Sequence, residues 1–173
     1  MPSRNPLGIT GGHCDVTGFA PGVVEQRPED GLGPTTYLVD RINLDALPPV
    51  VRKKAETILP VMRESLRKAI AAGVKIAFGT DAAAYPHGEN AHEFAVYVKL
   101  GMSPLEALRT STLYAADLLG RDDRGVIAAG RLADLIAVPG NPLEDITVTQ
   151  RVNWVMLGGR IIKDERGGRP ATD

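Results

Sequence analysis

The stretch from Pro48 to Phe78 constrains the fold most. Val51, Ala55, Ile58, Met62, Leu66 and Ile70 recur at steps of three and four, with Leu59 and Ala69 beside them. That spacing puts them on one face of a helix. Arg52, Lys53, Glu56, Arg63, Glu64, Arg67 and Lys68 fill the other face. Pro48-Pro49 suit the start of this helix, Gly73 suits its stop, and Pro60 predicts a kink or break inside it. The apolar run Val74-Lys75-Ile76-Ala77-Phe78 follows at once and reads as a buried strand that ends in Gly79-Thr80-Asp81. A helix that feeds directly into a buried strand is one unit of an α/β fold.

The rest of the chain is read around that unit. Residues 1–33 string together turn signals (Gly11-Gly12, Pro21-Gly22, Pro28-Glu29-Asp30-Gly31), with Leu7–Thr10 as a short strand at most. Such a segment is expected to pack poorly against its own chain. A helix from Asn90 to Leu100 is expected to turn Phe94, Ala95 and Val98 inward. Ser103-Pro104-Leu105-Glu106 is a capping box with proline at the first helical position, and a further short helix runs over Leu113–Leu119 to Gly120. After Gly125 the texture becomes strand-like. Ala133–Val138 is a mostly apolar run, and Val152–Leu157 and Arg160–Lys163 flank Gly158-Gly159, a hairpin signature. The division is therefore a turn-rich segment at 1–33, a helix–strand–helix region at 34–124, a small β unit at 125–164 and a polar tail at 165–173.

Composition narrows the class. Twenty Lys+Arg against 21 Asp+Glu give a formal charge of -1, which supplies no electrostatic reason for nucleic acid or an anionic membrane as partner. One cysteine in 173 residues excludes a disulfide framework within the chain. No apolar run approaches the roughly 20 residues that span a bilayer, and Met1–Pro6 lacks the apolar segment of a secretory signal. A soluble cytoplasmic protein is expected.

Asp81 is the first candidate for chemistry, because α/β barrels carry catalytic groups just past the C-terminal ends of their strands. Gly79, Ala82, Ala83 and Ala84 leave room beside it. A carboxylate there either ligates a divalent metal and accepts a proton from water, or caps the following turn. His87 and His92, with Glu89 and Glu93 nearby, flank a loop-to-helix junction; the loop reads equally as a turn with a helix cap at Asn90. His13-Cys14-Asp15 follows a glycine pair, and three adjacent residues do not converge on one ion. Tyr37 reads either as a hydrogen-bond donor at a strand end or as a core residue.

Several segments together resemble a known family. VKIAFGTD (Val74–Asp81), HGEN (His87–Asn90), GMSPLEAL (Gly101–Leu108), AADLLG (Ala115–Gly120) and GRLADLIAV (Gly130–Val138) with Asn141-Pro142-Leu143 are similar to the amidohydrolase superfamily. Within it the chain most resembles the imidazolonepropionase-related group, with its Xaa-Pro dipeptidases (prolidases), related carboxypeptidases and ochratoxin-degrading members. The resemblance runs from about Pro34 to Lys163. It implies a (β/α)8 (TIM) barrel, here partial and represented by its last elements, with a small β-sandwich-like unit. It also implies a divalent metal, zinc above all, that activates water for attack on an amide carbonyl. Asp81 matches the aspartate after the eighth barrel strand, which binds metal and shuttles the proton. Pro34-Thr35-Thr36 resembles the end of the seventh strand, and Ile9–Phe19 an active-site loop. His13, Tyr37 and His87 are the candidate substrate-binding residues.

A full barrel takes about 250 residues, more than this chain has. The family's His-x-His, its bridging-lysine segment and its two later metal histidines have no counterpart, and the chain passes from Pro28–Gly33 directly to the seventh-strand segment. The expected function is hydrolysis of a peptide-like C–N bond, in a dipeptide or N-acyl amino acid, impaired in this shortened chain and with the metal absent or weakly held. Two other readings stand beside it. One is a non-catalytic α/β module that forms homo-oligomers through exposed strand edges. The other is a rewired mononuclear site of Asp81, His87, His92 and Glu89.

Overall fold

The computed structural model describes residues 36–37, 43–82 and 86–167. The 1–33 segment, the Leu7–Thr10 strand and most of the tail lie outside them. The elements, in order, are a 3-10 turn Leu44–Ala46, α1 (Pro49–Ala71), α2 (His92–Lys99), α3 (Pro104–Ser111), α4 (Leu113–Leu118), β1 (Leu135–Ala137), a 3-10 turn Ile146–Gln150, β2 (Trp154–Leu157) and β3 (Arg160–Asp164). No helix among the described residues is long and apolar enough to cross a membrane.

The sequence signals that act locally reappear as geometry. α1 ends in a Schellman motif: Val74 N donates to Ala69 O at 3.0 Å, Gly73 N donates to Ile70 O at 3.0 Å, and Gly73 sits at φ +71°. Only a residue without Cβ takes that backbone at no cost, which is why the helix stops there. Ser103 Oγ accepts from Glu106 N at 3.2 Å to open α3, with Pro104 in the first turn. Gly158 and Gly159 have φ of +56° and +80°, the two positive values a type I′ hairpin turn demands between β2 and β3.

Three expectations need correction. α1 continues through Pro60 without a break. Pro60 is on the exposed face, so the Glu56 carbonyl it deprives of a helical donor is left on the solvent side. Second, the inward face of α2 is wider than expected: Glu93, Val96 and Tyr97 are buried beside Phe94, and Ala95 and Val98 are half-buried and pack against the same core. Third, Val74–Phe78 is extended but makes only a single bridge at Ile76. Its centre is buried as expected (Ile76 and Ala77), but a strand also needs neighbours to complete a ladder. Among the described residues no parallel strand flanks it, so its backbone is tied elsewhere: Phe78 N donates to Thr110 O of α3 at 2.9 Å.

The core gathers where α1, the extended segment, α2 and α3 meet. Leu66, Ile76, Phe94, Tyr97 and Ala107 form it, joined by Ile146 from the second 3-10 turn. Phe78 closes this core against Phe94 at 4.4 Å between ring centres and meets Tyr97 edge-on at 6.0 Å. Each such large side chain contributes about 1.5–3 kcal/mol by leaving water. The earlier part of α1 does not share in this: Val50 and Val51 remain exposed, and so does Val61 past the middle of the helix.

The β unit is one antiparallel sheet of order β1-β2-β3, in register Leu135↔Met156 and Ile136↔Val155, with an irregularity between Val155 and Met156. Among the described residues it is a single layer, not a sandwich. Asp134 Oδ1 accepts from Gly158 N at 2.7 Å and Ala133 O from Gly159 N at 3.0 Å, pinning the hairpin turn to the start of β1.

Candidate functional site

Asp81 follows the extended segment directly, as the apolar run and the Gly79-Thr80 break imply. Its side chain is exposed and its backbone lies at φ +48°, the one described non-glycine residue with positive φ. For an L-residue that conformation costs about 1–2 kcal/mol, so its surroundings must hold it. On its N-terminal side, Thr80 Oγ1 accepts from Asn90 Nδ2 at 2.9 Å. On its C-terminal side, Ala82 packs against the buried pair Tyr37 and Val96. The reading of Asp81 as a turn cap turns on residues 83–85, which lie outside the described residues.

The loop before α2 supplies the other polar groups. His87 is exposed in the turn that Gly88 completes at φ +96°. Asn90 Oδ1 accepts from Gly88 N at 3.3 Å, so Asn90 belongs to the turn, while the cap position of α2 falls on Ala91. His92, in the first turn of α2, stacks on Tyr37 with 4.7 Å between ring centres and 9° between planes. The Tyr37 hydroxyl donates to Glu89 Oε2 at 3.1 Å. Tyr37 is thus buried between α2 and its preceding loop, His87 stands apart in solvent, and His13 lies outside the described residues.

Glu93, which the sequence marks only as a neighbour of His92, is the most enclosed polar group here. It is fully buried and its carboxylate accepts from Thr36 N at 2.9 and 3.2 Å, from the Thr36 hydroxyl, and from Tyr37 N at 2.5 Å. Burial pushes its carboxyl above the ordinary range; the Thr36 hydroxyl, the two amides and the charge of Arg63 pull the other way. The signal that could have found it is spacing. Glu93 and Tyr97 are four apart, which puts the carboxylate on the inward row of the helix. The outcome is that α2 and its loop grip two separate pieces of chain, Thr36-Tyr37 through Glu93 and Glu89, and Thr80 through Asn90.

Comparison with known proteins decides what kind of scaffold this is. Residues 33–162 match the Amidohydrolase family. The chain belongs to that family. It is similar to ochratoxinase of Aspergillus niger, 44% identical over 101 residues that make up 55% of this chain and 21% of the relative. Among solved structures, this amidohydrolase superposes on a Xaa-Pro dipeptidase crystallised with methionine in its active site (TM-score 0.68, 40% identity, 73% of this chain and 32% of that one). A prolidase complexed with N-methylphosphonate-L-proline gives a TM-score of 0.71 at 34% identity, over 79% of this chain and 36% of that one. The chain therefore spans about a fifth of the length of the curated relative and about a third of these two structures.

Proposed function

We propose that this amidohydrolase chain carries part of the machinery for hydrolysing a peptide-like C–N bond, in a Xaa-Pro dipeptide or an N-acyl amino acid. The observation that carries the reading is Asp81, an exposed carboxylate held in a left-handed backbone at the end of a buried extended segment, within the stretch that matches the family. In the proposed chemistry Asp81 accepts the proton of the attacking water and returns it to the leaving nitrogen, general base and then general acid at one carboxylate. Tyr37, His87 and His13 are proposed to face the substrate.

Amidohydrolases generally use divalent metals, and zinc is the one proposed here. Among the described residues no group of three His, Cys, Asp or Glu side chains comes together to hold an ion. A catalytic zinc takes about three protein ligands, so the described residues do not by themselves fit the metal. The reading therefore includes weak activity: the isolated chain hydrolyses amides very slowly or not at all. A cytoplasmic location and association of the chain with copies of itself belong to the same proposal, the latter supported by the exposed apolar rows of the small sheet.

The test is a panel of Xaa-Pro dipeptides and N-acyl amino acids offered to the purified 173-residue chain, with zinc added or chelated. Slow, zinc-dependent cleavage within the panel supports the reading. Robust zinc-dependent hydrolysis abolished by Asp81→Ala would overturn the impairment and make His13, His87 and His92 the next ligands to test.

A further inference from the structure

The left-handed turn at Asp81 has one polar tether among the described residues, and it comes from Asn90. The Asn90 amide is used at both ends: Oδ1 accepts from Gly88 N at 3.3 Å while Nδ2 donates to Thr80 Oγ1 at 2.9 Å. Few side chains present a donor and an acceptor on one planar group. Leucine, of similar size, would offer neither. Gly88, at φ +96°, lets the loop fold back far enough for this reach. Both Asn90 and Thr80 are half-buried, so the bond is partly withdrawn from competing water.

The second hold on the same turn is apolar. Ala82 rests on Tyr37 and Val96, and Tyr37 is itself fixed by Glu89, by the Glu93 carboxylate and by the stacked ring of His92. Apart from the contact of Ala82 with Tyr37, each of these has a partner between Glu89 and Val96. We infer that Asn90 is a positioning residue, whose amide holds Thr80 and thereby keeps the Asp81 carboxylate in its left-handed, outward-facing turn. The inference rests on the reading of Asp81 as the acid–base group, and it adds a requirement for a hydrogen bond between the side chains at positions 90 and 80.

The experiment follows the Asp81 amide and Cα resonances in the isotope-labelled 173-residue chain. Asn90→Leu removes the amide at similar volume; Thr80→Val removes the hydroxyl at nearly constant volume; Thr80→Ser keeps the hydroxyl and sets the shift that a neighbouring substitution gives by itself. Asn90→Leu and Thr80→Val should each move the Asp81 signals further than Thr80→Ser does, and their combination should move them no further than the larger single effect, with the remaining core signals undisturbed. Asp81 signals moved no further than by Thr80→Ser in both single variants, or shifts that simply add in the double variant, would overturn the inference. If Asn90→Leu fails to fold, the Thr80 pair still decides. Where zinc-dependent hydrolysis is measurable, kcat should fall roughly 10- to 100-fold in Thr80→Val with KM little changed. Hydrolysis that is indifferent to Asp81→Ala would sink the acid–base reading alone, because the resonance shifts report the tether independently.

Discussion

At the scale of single residues, the carboxylate of Glu93 decides more than its composition suggests. It accepts from two backbone amides and a hydroxyl that lie 57 and 56 positions away in sequence, inside a fully buried setting. Glu93→Gln turns one of those acceptors into a donor that faces other donors. Loss of about 1–3 kcal/mol is expected, read as a lower midpoint in denaturant unfolding. The pH dependence has a definite sign. Because burial raises the folded-state pKa of Glu93, its protonated form binds the folded chain better, and that contribution is present below about 4.5 and lost as pH rises through the raised value. The margin of wild type over Glu93→Gln should therefore widen as pH falls from 7 towards 4.5; a margin that narrows would contradict it. Glu106 behaves oppositely. The Tyr114 hydroxyl, bonded to it at 2.6 Å, and Arg109 beside it hold its carboxyl below the ordinary range, so its contribution is present above about 4.5 and lost on acidification. Tyr114→Phe should make the acid loss of thermal stability shallower.

At the scale of elements, close approach is sharpest at Gly125. A Cβ built there would lie 2.9 Å from Ala116 Cβ, 2.9 Å from Thr112 O and 3.2 Å from Leu113 Cα, at a φ of +87°. Gly125→Ala should cost about 2 kcal/mol or more, strain and overlap together. Gly130→Ala, at φ +80° with open space around it, should cost only the backbone part, about 1 kcal/mol. Equal losses in the two variants would show that overlap with α4 is not what Gly125 avoids. α1 offers the reverse case. Pro60 sits on the exposed face of an unbroken helix, so Pro60→Ala should add about 1–3 kcal/mol and raise the helical signal in circular dichroism. What could be read from sequence divides along the same line. The Ser103 cap, the Gly73 stop and the Gly158-Gly159 turn were legible because each signal acts within a few residues of its effect. The grip of Glu93 on Thr36-Tyr37 and of Asn90 on Thr80 was not, because it depends on which distant pieces the fold brings together. Val74–Phe78 shows the intermediate case: its burial could be read from its own apolar residues, but its ladder depends on neighbours that its sequence does not contain.

At the scale of the whole molecule, a helical core that includes Ile146 joins the small sheet to the helices, while the sheet keeps Ile136 63% and Leu157 59% exposed. Exposed apolar side chains that share one face of so thin a sheet favour association, and light scattering of the purified chain should give a mass above the 18.4 kDa monomer that Ile136→Lys lowers. A monomer at all concentrations would remove self-association from the account. The family match and the exposed Asp81 support the proposal that one carboxylate performs acid–base work in this amidohydrolase framework. The decisive measurement is the zinc-dependent initial rate of Xaa-Pro dipeptide cleavage by the wild-type chain and by Asp81→Asn, which keeps the shape of the side chain and removes its proton chemistry. A slow wild-type rate that falls to the uncatalysed background in Asp81→Asn is the result expected; cleavage that persists undiminished in Asp81→Asn would contradict the assignment.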